Sequence, residues 1–80
     1  PINMDRRLRL NYQLAIYFIG QELYEKGIDS ILQCMELSIT MNNGKGLLQC
    51  ITLLEMNRIH ASSEQLSDFH ILIATEFSRA

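Results

Sequence analysis

The sequence predicts an all-α fold, with about four helices folded as two antiparallel αα-hairpins in one small bundle. Three observations lead there. Apolar residues recur at three- and four-residue steps along most of the chain, and no segment alternates with period two as a half-buried strand would. The stretch Ile16 to Met41 is apolar on both sides of Lys26-Gly27, and helices joined by so few residues must turn back on each other. Asn42-Asn43-Gly44-Lys45-Gly46 is the strongest break, a run of residues that favour turns over helix.

Helix 1 is expected from Asp5 to Lys26. Leu8, Tyr12, Ala15, Ile19 and Leu23 make one apolar stripe, and Leu10, Leu14, Tyr17 and Tyr24 make a second beside it, with Phe18 at the boundary. Two stripes leave such a helix wet on a narrow side only. Gly27 suits the left-handed position that closes a helix, and Lys26 suits the negative end of its dipole. Helix 2 is expected to start with Asp29 as its N-cap, the carboxylate accepting from free backbone donors of the first turn. Its stripe is Ile28, Ile31, Leu32, Met35 and Ile39, extended by Cys34, Leu37 and Met41. Helix 3 follows from Gly46 to Arg58, with Leu47, Cys50, Ile51 and Leu54 inward and Leu48 and Leu53 flanking. His60-Ala61-Ser62-Ser63 interrupts the pattern, and Ser62 with Gln65 matches a capping box. Helix 4 then runs from Ser63 to Phe77 on a stripe of Leu66, Phe69, Ile73 and Phe77.

Eighty residues form a single domain, near the size at which a lone core is marginal. Two cysteines are too few for a disulfide scaffold, and 48% hydrophobic against 20% charged residues is too apolar for disorder. Association, or membership in a larger protein, is the economical route to stability. The chain opens at Pro1, so it reads either as an excised piece or as a protein whose natural start is Met4. A net charge of −2 and a pI near 5.5 create no field for nucleic acid or an anionic membrane. The apolar run Leu14 to Ile19 is too short for a secretory signal, and no stretch has the ~20 apolar residues of a membrane span. Free cysteines without a signal point to the cytoplasm.

Ile16-x-x-Ile19-Gly20-x-x-Leu23 resembles the first-helix signature of tetratricopeptide repeats, W-x-x-L-G-x-x-Y. Tyr24-Glu25-Lys26-Gly27 resembles the turn between that family's paired helices, and Ile31-x-x-x-Met35, with Ser38 beyond it, stands where its second helix carries A-x-x-x-F. ELSITMNNGKGLLQC is similar to the long junction in repeats of bacterial peptide-sensing regulators. From Leu47 onward the match is in helix lengths only. The resemblance implies stacked hairpins, a close helix approach at Gly20, and a concave face between first helices that holds a peptide or partner helix. Gln13, Tyr17, Gln21 and Tyr24 are the expected members of that face, since they combine apolar area with hydrogen-bonding tips.

No catalytic or metal-binding constellation is present. Cys34 and Cys50 are equidistant from Asn42, so an antiparallel hairpin sets them opposite each other. They read first as small buried hydrophobes and alternatively as a disulfide. His60 and His70 lack the spacing of a metal motif; His60 is expected exposed at the end of helix 3, and His70 partly buried beside Phe69 and Ile73. Arg6, Arg7 and Arg9 are the only basic cluster, read as a solvated helix start or a contact for an anionic partner. Helix 3 offers only Arg58 as a clear basic group, which argues against DNA recognition by a helix-turn-helix. Asn43-Gly44-Lys45-Gly46 lacks P-loop spacing and follows a helix rather than a strand, so it reads as a turn. Glu22, Glu25 and Glu36 read as solvated helix faces.

The functional expectation is a non-catalytic protein–protein interaction module, helical-repeat-like, needing neither metal nor cofactor and binding a protein or peptide. The alternative is a small stand-alone helical regulator or chaperone that homodimerises through helix 1, with Leu10, Leu14, Phe18 and Ile19 as the oligomer or packing stripe. In either case the second stripe of helix 1 needs a neighbour: another element of the chain, another copy, or a client.

Overall fold

The computed structural model describes residues 3–78. They form α1 (Met4–Gly20), α2 (Tyr24–Thr40), α3 (Gly44–Met56), a 3-10 turn (Arg58–His60) and α4 (Ser63–Ser78), with no strand among the described residues. The helical bundle expected from the periodicity is present.

α1 starts one residue after Asn3, whose side chain accepts from the Arg6 amide at 3.1 Å and so caps the first turn. It ends at Gly20 rather than Lys26. Leu23 N–H donates to the Phe18 carbonyl (2.8 Å) and Glu22 N–H to the Ile19 carbonyl (3.0 Å), the paired bonds of a Schellman ending. Its left-handed position is held by Glu22 at φ 61°, not by a glycine. α2 ends in the same way. Asn43 N–H donates to Ser38 (2.8 Å) and Asn42 N–H to Ile39 (3.1 Å), with Asn42 at φ 55°. Asn43 then accepts from Gly46 N–H at 2.9 Å, starting α3 at Gly44.

Gly27, expected to close helix 1, lies buried inside α2. A Cβ there would sit 2.8 Å from Ile19 Cγ1 and 3.4 Å from the Ala15 carbonyl oxygen, so its missing side chain lets α1 and α2 cross closely. Gly20, to which the motif assigned that role, has open space where a Cβ would be. Asp29 is likewise not an N-cap; α2 begins five residues earlier, at Tyr24.

α2 is the hub. It packs against α1, α3 and α4, and contributes Ile28, Ile31, Leu32, Cys34 and Met35 to the core. Leu8 and Ala15 meet it from α1, Leu47, Cys50 and Leu54 from α3, and Phe69 from α4. Tyr12 and Ile19 sit half-buried on the rim, so Ile19 belongs to the core stripe. α4 is held to α2 by Gln65. Its Oε1 accepts from Ser62 N–H at 3.0 Å while Ser62 Oγ accepts from Gln65 N–H at 3.1 Å, the reciprocal capping box expected from sequence. The amide nitrogen of Gln65 then donates to the Glu25 carbonyl and to Asp29 Oδ1, both at 2.9 Å. Phe77, placed on the α4 stripe by its spacing, is instead 73% exposed and is not among the residues packed on the core. His70 is exposed too, with its ring tilted against Phe69 at 5.6 Å.

These assignments separate two residues that the sequence reading confounded. Glu22→Gly relieves a left-handed L-residue and should raise stability by about 0.5–1 kcal/mol. Gly27→Leu forces a side chain into the α1–α2 crossing and should lower it by about 2–3 kcal/mol. Urea unfolding midpoints check both.

Candidate functional site

With its core stripe covered by α2, α1 presents two further faces. One borders α3. A half-open cleft of about 250 Å³ lies there, lined from α1 by Arg9, Tyr12 and Gln13 and from α3 by Lys45, Gln49 and Cys50. Tyr12, Lys45 and Gln49 also line the adjoining, more open depression that reaches Leu48, Thr52 and Met56, so the two make one continuous groove. Its upper end is cationic: Lys45 sits in the first turn of α3, and Arg9 is only partly neutralised by Asp5 at 3.4 Å across exposed surface. Its lower end is apolar, with Leu48 and Met56 mostly exposed.

The other face points away from the bundle. Leu10, Leu14 and Tyr17 follow one another at helical spacing and are 51%, 45% and 60% exposed. No element of the described chain covers them. Phe18 is half-buried at the edge of this stripe, with its ring 5.8 Å from that of Tyr17 and the Lys26 ammonium 6.0 Å above it.

The four residues expected to share a face are therefore distributed. Gln13 lines the α1–α3 groove. Tyr17 is on the outer stripe, and Gln21 is exposed in the turn after α1. Tyr24 starts α2 and is engaged within the chain: its ring stacks on that of His60 at 3.6 Å, only 6° from parallel. Leu10 and Leu14 remain exposed, whereas Ile19 packs toward the core. Tyr12, Lys45 and Gln49 line the groove without having been singled out from the sequence for it, and Arg9 was singled out only as part of a basic cluster. The available signal was Lys45 and Gln49 at i and i+4 on an otherwise apolar helix, which marks one polar face.

Cys34 and Cys50 are both free and buried. Cys34 lies on α2 and Cys50 on α3, both within the core that these helices share. The Cys34 thiol reaches the Leu8 carbonyl at 3.6 Å. Among the described residues no group of three or more His, Cys, Asp or Glu side chains is placed to hold a metal ion. No helix is long and apolar enough to cross a membrane. Comparison with family models, curated proteins and solved structures finds no match to this chain.

The Tyr24–His60 stack ties the start of α2 to the 3-10 turn before α4. A double-mutant cycle with Tyr24→Ala and His60→Ala should give a coupling of about 0.5–1.5 kcal/mol in unfolding experiments.

Proposed function

We propose that this chain is a non-catalytic protein–protein interaction module of helical-repeat type, part of an adaptor or regulatory protein. The observation that carries the reading is the uncovered apolar surface of α1: a stripe of Leu10, Leu14 and Tyr17 turned away from the core. Contiguous apolar surface of this kind marks interaction sites on small soluble domains. The groove between α1 and α3 is the second support. It combines a cationic end with an aromatic ring and exposed aliphatic side chains, which suits a peptide or helix carrying both acidic and apolar residues.

The register first expected for the tetratricopeptide resemblance, with Gly20 at the helix approach, does not hold, since Gly20 faces open space; we read the resemblance instead in a different register. Asn11-x-x-Leu14-Ala15-x-x-Phe18 falls wholly within α1, and Gly27-x-x-x-Ile31 within α2, where the family has W-x-x-L-G-x-x-Y and A-x-x-x-F. The two small residues, Ala15 and Gly27, then meet at the helix crossing, which is the physical purpose of small residues in that motif. In such an arrangement α1 and α3 are first helices and the groove between them is the concave, partner-holding face. The outer stripe is left for a neighbouring hairpin. A protein partner fits better than nucleic acid, given the net charge of −2. Two unbridged cysteines support a reducing compartment such as the cytoplasm.

The outer stripe also favours the second reading, a homodimer. Antiparallel pairing of two α1 helices about Leu14 would set Leu10 against the Tyr17–Phe18 region, and Arg6 and Arg7 against Gln21 and Glu22. Sedimentation across a concentration series decides between the two readings: a dimer that Leu14→Glu converts to monomer supports the second, and a monomer at every concentration excludes it. For the first, a photo-cross-linking residue placed at Leu14 or Gln49 in cells should give discrete heavier adducts. The same residue at Glu36, on the solvated side of α2, should give none. Equal labelling at all three positions would overturn the assignment of these faces.

A further inference from the structure

The turn between α2 and α3 holds a peptide bond that the chain can rearrange by itself. Five asparagines occur in the sequence, and only Asn43 is followed by glycine. A glycine nitrogen is the least hindered nucleophile that a backbone offers, because no Cβ stands beside it. Gly44 is exposed, and as the first residue of α3 its N–H has no acceptor within the helix. The space around it is open as well: a Cβ built there meets nothing within 4 Å.

What holds Asn43 back is its own capping role. Its Oδ1 accepts from Gly46 N–H at 2.9 Å, and its Nδ2 lies 2.7 Å from where a Cβ on Gly46 would be. Its carbonyl accepts from Leu47 N–H at 3.0 Å. The side-chain amide is thus committed to Gly46. Turning it onto Gly44 requires the first turn of α3 to open, a local event at a helix end.

We propose that Asn43 is a site of spontaneous deamidation, locked by the N-cap of α3, whose isoaspartate product breaks that cap and adds a negative charge to the α1–α3 groove. The Gly44 nitrogen attacks the side-chain carbonyl carbon of Asn43. A C–N bond forms, the bond to Nδ2 breaks, and Nδ2 leaves as ammonia with the proton from Gly44. The resulting succinimide takes up one water. Its hydroxyl goes to one ring carbonyl and its proton to the ring nitrogen as that C–N bond breaks. Opening at the side-chain carbonyl restores the ordinary main chain, as aspartate. Opening at the main-chain carbonyl routes the backbone through Cβ, as isoaspartate. No oxidation or reduction occurs.

The two products differ in what they do to α3. Aspartate keeps an oxygen acceptor on the side chain at the positive end of the helix, as good a cap as asparagine. Isoaspartate adds a methylene to the backbone and moves both acceptors of residue 43, so the Gly46 and Leu47 amides lose their partners. Either product puts a carboxylate in the cleft wall that Asn43 shares with Arg9 and Lys45. On the reading of this groove proposed above, that charge opposes an acidic partner; the modification itself does not depend on that reading.

The test is incubation of the folded chain at mildly alkaline pH over weeks, with peptide mapping that separates aspartate from isoaspartate at each asparagine. Conversion is expected at Asn43 well ahead of Asn11 and Asn57, whose side chains donate to helix carbonyls and whose next residues are bulky. It should be faster in the urea-unfolded chain and several-fold slower in Gly44→Ala, where the added Cβ fits without contact. Anion exchange isolates the isoaspartate form, whose urea midpoint should fall below that of the unmodified chain, whereas Asn43→Asp should keep it. Conversion of Asn43 no faster than that of Asn11 and Asn57 would overturn the site. Equal rates in the folded and unfolded chain would overturn the lock. An isoaspartate midpoint equal to that of Asn43→Asp would overturn the uncapping.

Discussion

The close crossing of α1 and α2 at Ala15 and Gly27 is the constraint on which the rest of the structure depends. Ala15 is fully buried, and a Cβ on Gly27 would strike Ile19 at 2.8 Å. Bringing two backbones that near lets Ile28, Ile31 and Met35 of α2 be covered completely in a chain of only eighty residues. A small domain has little area to spare, and every position of α2 that escaped burial would weaken it. α2 packs against α1, α3 and α4, and those three helices keep more of their surface exposed than α2 does. Leu10, Leu14 and Tyr17 of α1 lie exposed on such an outer face.

Both turns flanking α2 use the same backbone solution, a Schellman ending with a left-handed residue that is not glycine. Asparagine tolerates this conformation, and Asn42 fills it after α2. Glutamate tolerates it less well, yet Glu22 fills it after α1. The nearby glycines serve packing instead. Gly27 admits α1, and Gly46 admits Ser38 and Asn43, whose atoms would lie 2.7–3.1 Å from a Cβ at that site. Steric demand at the helix contacts therefore outweighs backbone preference at the turn. The cost of one left-handed glutamate, about 1–2 kcal/mol, is comparable to that of a single overpacked core position.

Polar groups inside the bundle are few and serve connections between helices. Gln65 joins the start of α4 to α2 through Glu25 and Asp29, while its own backbone and side chain complete the capping box with Ser62. The Cys34 thiol donates from α2 to the Leu8 carbonyl of α1. One seam fastens the last helix. The other ties α2 to α1.

The apolar periodicity by itself determined that the chain is helical, that Asn42 to Gly46 breaks it, and that Ile28, Ile31, Leu32 and Met35 face inward, because a 3.6-residue repeat is a local property. The capping box at Ser62 was legible for the same reason, since it follows from a spacing of three residues. Only the tertiary structure decided which glycine ends a helix and which one packs. It alone distinguished a tyrosine stacked within the chain from one left outside, and it alone placed Gln13 rather than Tyr17, Gln21 or Tyr24 in the groove. Those outcomes depend on where helices separated by tens of residues cross, and the Gln65–Asp29 contact, 36 residues apart, has no signature along the chain. Periodicity says that a residue is apolar and which stripe it shares; only the fold says what, if anything, lies against that stripe.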